Sequence, residues 1–432
     1  MPTLSYQTAG ESHGPALVTI VSGLPAGLPL DMDFINAELA RRQGGYGRGA
    51  RQRIETDTAE ILSGVRLGKT IGSPVTLLIR NNDSRLDDTK KTPPVHIPRP
   101  GHADFAGSVK YLTTDCRETL ERASARETAA RTAAGAVAKL LLRHIREEGT
   151  TSPERQRAGI ANQPGHVPAD ARSPLDSGRA SDSSGPKGIE VLGFVRSILD
   201  AATTVRVQQD NWQSMLALRD ASETYCPDEA VTAKQCQIIR QAKIDKDTVG
   251  GLVEAHVFGC PPGLGSTMNW QDRLDARLAS AVMGIQAFKA VEIGLGKDSA
   301  SRPGSQVHDA IRFDPARKDT STLGFERDSN NAGGTEGGMT NGMPIVVRGT
   351  MKPIATLLRG MPSVDLNTKE AKTSEYERSD ICAVSAASVV MENVVAFEVA
   401  RVVLEKFGGD TLGETVDNFS RFMQVARMLP LE

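Results

Sequence analysis

The order of strand-like and helix-like stretches limits what this chain can become more than any single motif does. Ala16 to Val21 is apolar and β-branched, the pattern of a strand, and Pro25, Gly27 and Pro29 then break it. Asp31 or Asp33 is placed to cap a helix through Phe34 and Leu39 to the Arg41-Arg42 pair. Two more strand-like runs follow at 60–65 and 74–79. The clearest helix covers 121–145, where Ser124 and Glu127 have capping-box spacing and Ala-rich sequence continues to Leu142. Helices are also predicted at 272–292 and 389–406, and strands at 189–198, 250–258 and 343–351. Hairpin-like strand pairs with isolated helices, and no regular βαβ alternation, predict an α+β fold rather than a doubly wound α/β one.

One stretch cannot join such a core. Residues 147–188 hold five prolines and no aromatic, and their large aliphatics are limited to Ile160, Val167 and Leu175. That is too little apolar surface to offset the cost of ordering the chain, so a disordered insertion within a single domain of 1–432 is expected. Five scattered cysteines with no C-x-x-C pair argue against a zinc ribbon or a disulfide framework and for a reducing compartment. No apolar run approaches the ~20 residues that span a bilayer, and Met1 to Tyr6 lacks a secretory pattern. A cytoplasmic protein that binds no membrane is expected. With 51 Lys+Arg against 53 Asp+Glu, no basic excess exists for nucleic acid.

The familiar nucleotide and hydrolase signatures are missing. Gly64 to Thr70 ends like a P-loop but is one residue short between its glycines, and no G-x-G-x-x-G, H-E-x-x-H or G-x-S-x-G occurs in context. Polar clusters remain. Thr8 to Gly14 sets Glu11, Ser12 and His13 between glycines, and Arg99 to Asp104 sets His102 after a Pro-Gly turn; both histidines suit proton transfer near neutral pH. Arg42, Arg48, Arg51 and Arg53 lie in or beside a Gly-rich loop, and Arg122 and Arg126 lie at the start of the long helix. Guanidinium forks match phosphate and carboxylate, so the arginines imply a small polyanionic ligand if they meet in space. Surface ion pairs would account for them equally well. A last Gly-rich loop, Asn330 to Gly342, precedes Lys352 to Thr356 and Arg378-Ser379-Asp380.

The segments TAGESHG (8–14), RRQGGYGRG (41–49), RPGHAD (99–104), RASARETAAR (122–131), GIQAFKAVEIG (284–294), AGGTEGGMTNG (332–342), the run 352–357 and RSDICAV (378–384) together resemble the chorismate synthase family. The resemblance runs in order from about residue 4 to 410. It implies a helical layer between two antiparallel sheets, assembled as a homotetramer. It also implies conversion of 5-enolpyruvylshikimate 3-phosphate to chorismate and phosphate with reduced FMN. NADPH is expected only as an indirect or external reductant, with a separate flavin reductase as the implied partner. Carried over position by position, His13 resembles the histidine that assists phosphate departure, with Ser12 beside it. His102 resembles the one facing flavin N1, and Asp380 the carboxylate that takes the N5 proton. Arg42, Arg48, Arg51, Arg99 and Arg126 are implied to hold substrate anions, Arg42 and Arg48 being alternatives for NADPH. Flavin contacts are implied for Arg122, Ala123, Ser124, Gln286, Ala287, Gly337, Lys352, Pro353, Ile354, Ala355, Thr356 and Arg378; no metal is implied. The 147–188 insertion departs from the family pattern, as do Ala290 where Gly is commoner and Ser385 where Pro is commoner. A non-catalytic relic would be expected to lose His13, His102 or Asp380 first, and all three are present.

Overall fold

The computed structural model describes residues 3–49, 56–145, 188–374 and 379–430. Two antiparallel sheets carry the fold. The first is built from β1 (Ser5–Ala9), β2 (Ala16–Ser22), β3 (Ala59–Ser63) and β4 (Val75–Arg80), in the order β1-β2-β4-β3. Its side chains alternate as a strand's period of two requires: Leu17, Thr19 and Val21 of β2 and Val75, Leu77 and Ile79 of β4 are buried, while Ile20 points outward. The second sheet joins β5 (Glu190–Ile198), β6 (Ala201–Ala202), β7 (Gly251–Phe258), β8 (Phe288–Ile293) and β9 (Ile345–Met351), in the order β8-β9-β7-β5-β6. The strands expected near 16–21, 60–65, 74–79, 189–198, 250–258 and 343–351 all form.

The helices are α1 (Met32–Gln43), α2 (Asp104–Tyr111), α3 (Arg117–Ala123), α4 (Thr128–His144), α5 (Trp212–Ala221), α6 (Glu229–Ile244), α7 (Leu274–Met283), α8 (Val384–Phe407) and α9 (Leu412–Ala426). Asp31, not Asp33, caps α1, its carboxylate accepting from the Phe34 N–H at 3.1 Å. The Ala-rich helix α4 packs on β1, β2 and β4, and α8 packs on β5, β7 and β9. The two helices also pack on each other, and Gly135 sits at the contact: a Cβ there would lie 2.4 Å from Asn393 Cβ. α8 is buried almost all round, so its apolar residues show no single face.

Two predicted helices are cut short. The 121–145 helix breaks at Ser124, whose backbone is extended, and resumes through a 3-10 turn at Ala125–Glu127. The capping box does not form, because the Glu127 carboxylate is taken by Thr8, Arg131 and Gln286. The Ser124 hydroxyl instead accepts from the Arg126 N–H at 3.3 Å. The 272–292 helix ends at Met283: Ala287 adopts a left-handed φ of 68°, and the chain leaves as strand β8 beside β9. The sequence reading missed α5, α6 and α9, although Thr411 and Glu414 form a complete capping box at the start of α9. The stretch 147–188, expected to be a disordered insertion, lies outside the described residues except for Gly188.

Inside the helical region sits a buried ion network. Glu392 of α8 accepts from Arg41 at 2.8 and 3.0 Å, from Arg219 at 2.8 Å and from the Gly193 N–H at 2.9 Å, with Lys139 against it as well. Glu38 accepts from Arg41 at 2.8 Å, Lys139 at 3.0 Å and Asn393 at 2.9 Å. One network thus ties α1, α4, α5, α8 and β5.

Candidate active site

His13 lies in the turn between β1 and β2, which Gly10 makes possible with a φ of 102°; any Cβ there would strike the Ala16 carbonyl at 2.3 Å. Glu121 of α3 grips this turn. Its backbone carbonyl accepts from Ser12 N–H at 3.0 Å, and its carboxylate meets His13 N–H at 2.8 Å and His13 Nδ1 at 2.9 Å. Burial pushes the Glu121 carboxyl up, but the His13 bonds and the Arg117 charge outweigh it, so the group lies below its ordinary range. An ionised carboxylate only accepts, so His13 Nδ1 is the donor. Near Nε2 stand Arg85 Nη2 at 3.4 Å and Asp83 at 3.8 Å. Ser124 Oγ donates to Ser12 Oγ at 3.2 Å.

Asn81 links this turn to an arginine cluster. Its amide donates to the Gly14 carbonyl at 2.8 Å and its oxygen accepts from Arg126 Nε at 2.9 Å. Arg126 Nη1 reaches Asp57 at 2.5 Å, and Arg42 Nη1 approaches the same carboxylate at 3.4 Å. The remaining bonds of Arg42 go to neutral oxygens, Thr128 Oγ1 and the Ala125 carbonyl, each at 2.9 Å. Burial, followed after the partial relief from Asp57 by the charges of Arg126 and Arg48, pushes the Arg42 guanidinium down to about 10. Arg48 pairs with Asp380 at 2.7 Å, and the other Asp380 oxygen accepts from the Gly49 N–H at 2.6 Å. Arg51, Arg53 and Arg378 lie outside the described residues.

His102 follows Gly101, which has a φ of 81°. Its Nδ1 bonds Asp104, fully buried at the start of α2. Burial raises the Asp104 carboxyl, but bonds from His102 and Arg99 overcome this and hold it well below its usual value. Arg99 grips Asp104 through Nε at 2.8 Å and Nη2 at 3.0 Å, while its Nη1 donates to Thr356 Oγ1 at 3.0 Å. The structure therefore places Arg99, read from sequence as an anion binder, as a brace between the His102 turn and the 352–356 run. Lys352 Nζ donates to the Gly101 carbonyl across the same junction. Burial and the neighbouring Lys289 ammonium lower the Lys352 pKa.

The guanidinium of Arg122 holds the Gly10 and Thr8 carbonyls at 3.0 Å. Gln286 donates to Glu127 at 3.0 Å, and its own carbonyl oxygen is buried without a hydrogen-bond partner. Gly337 turns a short hairpin with a φ of 58°, and a Cβ there would first meet Thr267 Oγ1 at 3.7 Å. Ile354 is held by Thr248 Oγ1 at 2.7 Å. The geometry thus joins His13, Ser12, Ser124, Arg126 and Arg42 in one chain of contacts, and His102, Arg99, Lys352 and Thr356 in another. A cavity of about 810 Å³ on the second sheet is lined by Lys352 and Pro353 with Arg196 and Arg348. One of about 430 Å³ near His308 and Asn331 includes none of the predicted site residues. Sequence reasoning gave no role to Glu121, Asp104, Asp57 or Asn81. Only Asp104 stood close enough to a candidate histidine to be signalled.

Two histidines, each with Nδ1 on a buried carboxylate, and a buried arginine, Arg42, whose carboxylate stands at 3.4 Å form a candidate enzyme site suited to moving protons on a small anion. Known proteins narrow the class. The chorismate synthase family model matches residues 4–173 and 177–404. A chorismate synthase of Geobacter sulfurreducens is 48% identical over 434 residues, covering 98% of this chain and 99% of its own. A chorismate synthase 1 of Bacillus cereus is 45% identical, covering 98% of this chain and all of its own. A crystal structure of chorismate synthase superposes with a TM-score of 0.70 at 36% identity, covering 99% of both chains. The chain belongs to the chorismate synthase family and is a lyase. Among the described residues no helix is long and apolar enough to cross a membrane.

Proposed function

We propose that the enzyme carries out the 1,4-elimination of phosphate from 5-enolpyruvylshikimate 3-phosphate, with reduced FMN as cofactor. The observation that carries this reading is the state of Arg42. A buried guanidinium pushed down to about 10 beside two further arginines is a positive charge that asks for an anion. The substrate offers a phosphate and two carboxylates, and Arg42, Arg48 and Arg126 are the groups that would hold them; Arg51 joins them on sequence alone.

The flavin residues fit on three observations. Burial and the neighbouring Lys289 lower the Lys352 pKa, which an anionic group such as the cofactor phosphate would relieve. Gln286 has a buried carbonyl oxygen open for a donor, and the backbone at Gly337 leaves room for a flat ring. When bound, the reduced flavin supplies electron density to the elimination and is restored at its end, so no net redox change occurs. The protein's share is proton handling. His13, with Nδ1–H held by Glu121, takes up a second proton on Nε2 and delivers that proton to the departing phosphate. His102, with Nδ1 held by Asp104, has Nε2 as the atom that keeps a proton near the cofactor. Asp380 accepts from Arg48 on one oxygen and from the Gly49 N–H on the other, which fixes its direction and leaves a lone pair on each oxygen for a proton. A helical layer between the two sheets, a tetramer, a cytoplasmic location and an external source of reduced flavin complete the reading.

Anaerobic turnover with pre-reduced FMN tests it. Chorismate should form, and His13→Ala and His102→Ala should each lower the rate about 10-fold or more; near-wild-type rates in both variants would overturn the assignment. Oxidised FMN with NADPH alone should give no product, and product there would show that the enzyme reduces its own flavin.

A further inference from the structure

We infer that Glu121 is the positioning residue that sets the tautomer and aim of His13. The inference rests on the proposed role of His13 and deepens it. Glu121 lies 108 residues from His13 in sequence, yet it makes three bonds to the turn that carries it: from Ser12 N–H, from His13 N–H and from His13 Nδ1. Its side chain is 1% exposed, so water does not compete for these bonds. The carboxylate is itself held by Arg117 at 3.6 Å. The far side of the turn is fixed separately, since the His13 carbonyl accepts from the Arg85 and Leu86 N–H groups at 2.9 and 3.0 Å.

The consequence is chemical. A carboxylate that accepts from Nδ1 fixes the first proton on that nitrogen and leaves Nε2 to take up and pass on the second. The imidazolium, which Glu121 stabilises, is therefore the acid, and a neutral Nε2–H ring facing an amide is not. Among the described residues the charged groups facing Nε2 are Arg85 and Asp83, Arg117 stands behind Glu121, and the Glu11 carboxylate lies against Gly14 at the same turn. A purely structural role would need only the two backbone bonds. The contact at Nδ1 is the part that bears on the reaction.

Glu121→Gln separates the two roles. The glutamine oxygen can still accept from His13 N–H, and the backbone bond to Ser12 is untouched, so the turn keeps its shape. Its amide NH₂ takes the Oε1 position 2.9 Å from Nδ1, where a proton on Nδ1 would point at another donor. The proton is therefore drawn to Nε2, even though the remaining oxygen, which holds the His13 N–H, also lies 3.0 Å from Nδ1. Long-range ¹⁵N–¹H spectra of histidine-labelled protein, with His13 identified by its loss in His13→Gln, read this directly. We expect Nδ1-protonated His13 in the wild type and Nε2-protonated His13 in Glu121→Gln. Turnover with pre-reduced FMN should fall about 10-fold or more in kcat, with KM changed less than about 3-fold. Glu121→Asp keeps the acid and should retain the wild-type tautomer with much of kcat restored. An unchanged tautomer in Glu121→Gln, or a lost one in Glu121→Asp, would overturn the positioning role. A switched tautomer with wild-type kcat would uphold that role and overturn the proposed part of His13 in the reaction.

Discussion

Arg41 and Arg42 are neighbours on α1, and they point into two different buried charge clusters. Among the described residues each cluster brings together three cations and two carboxylates: Arg41, Lys139 and Arg219 with Glu38 and Glu392, against Arg42, Arg48 and Arg126 with Asp57 and Asp380. The tally is the same and the outcome is opposite. Burial lowers both guanidinium groups, but Glu392 and Glu38 lie within 3.0 Å of Arg41 and hold it above the usual arginine range. Arg42 has its carboxylate at 3.4 Å and two arginines nearby, and it falls to about 10. Bond geometry, not the count of charges, separates a network that holds the fold from one prepared for a ligand.

That contrast can be broken at several points. The largest effect is expected from Glu392→Ala, which removes the carboxylate shared by three buried cations and leaves Arg41 and Lys139 to Glu38 alone; it should cost about 3–5 kcal/mol in a chemical denaturation curve, and a loss under about 1 kcal/mol would erase the distinction. Next comes the exchange of neighbours. Arg42→Ala should lower kcat/KM about 100-fold, or about 2.7 kcal/mol, while costing less stability than Arg41→Ala, whose effect should fall mainly on folding. The reverse ranking would reassign the two residues. The smallest effect is in acid. Burial raises the Glu38 and Glu392 carboxyls, but the cations around them prevail and both lie below their ordinary 4.5 in the folded state. A carboxyl depressed on folding adds stability above its unfolded pKa and loses it as pH falls through the folded one. The melting temperature should therefore hold down to about pH 4.5 and decline below it, less steeply in Glu392→Gln.

The strands were legible because β-branched residues alternate in short runs, as at Leu17, Thr19 and Val21. The helix breaks were not, because their causes are tertiary. Glu127 abandons its capping box for Thr8, Arg131 and Gln286, and no local pattern announces that. At 284–293 the sequence suits a helix and a strand alike, and the left-handed turn at Ala287 decides between them. The site shows the same division. His13 and His102 stood out between glycines, and Arg42 beside a Gly-rich loop. What was hidden was each partner that fixes their chemistry. Asp57 lies 69 residues from Arg126, and Glu121 lies 108 from His13. The bracing contacts of Arg99 were hidden for the same reason, since its bond to Thr356 crosses 257 residues.

The break at Ser124 has one more consequence. Between Glu121 and Glu127 the side chains leave toward His13, Gly10, Ser12, Asp57 and Thr8, a spread that one face of a straight helix could not reach. Each residue added to or removed from an α-helix rotates everything beyond it by about 100°. Deleting a single residue between Ser124 and Thr128 would leave the Glu121 grip on the His13 turn in place while swinging α4, and Thr128 with it, away from Arg42. This stretch is a gauge block: its length sets the phase between the two halves of the site, whichever letters spell it.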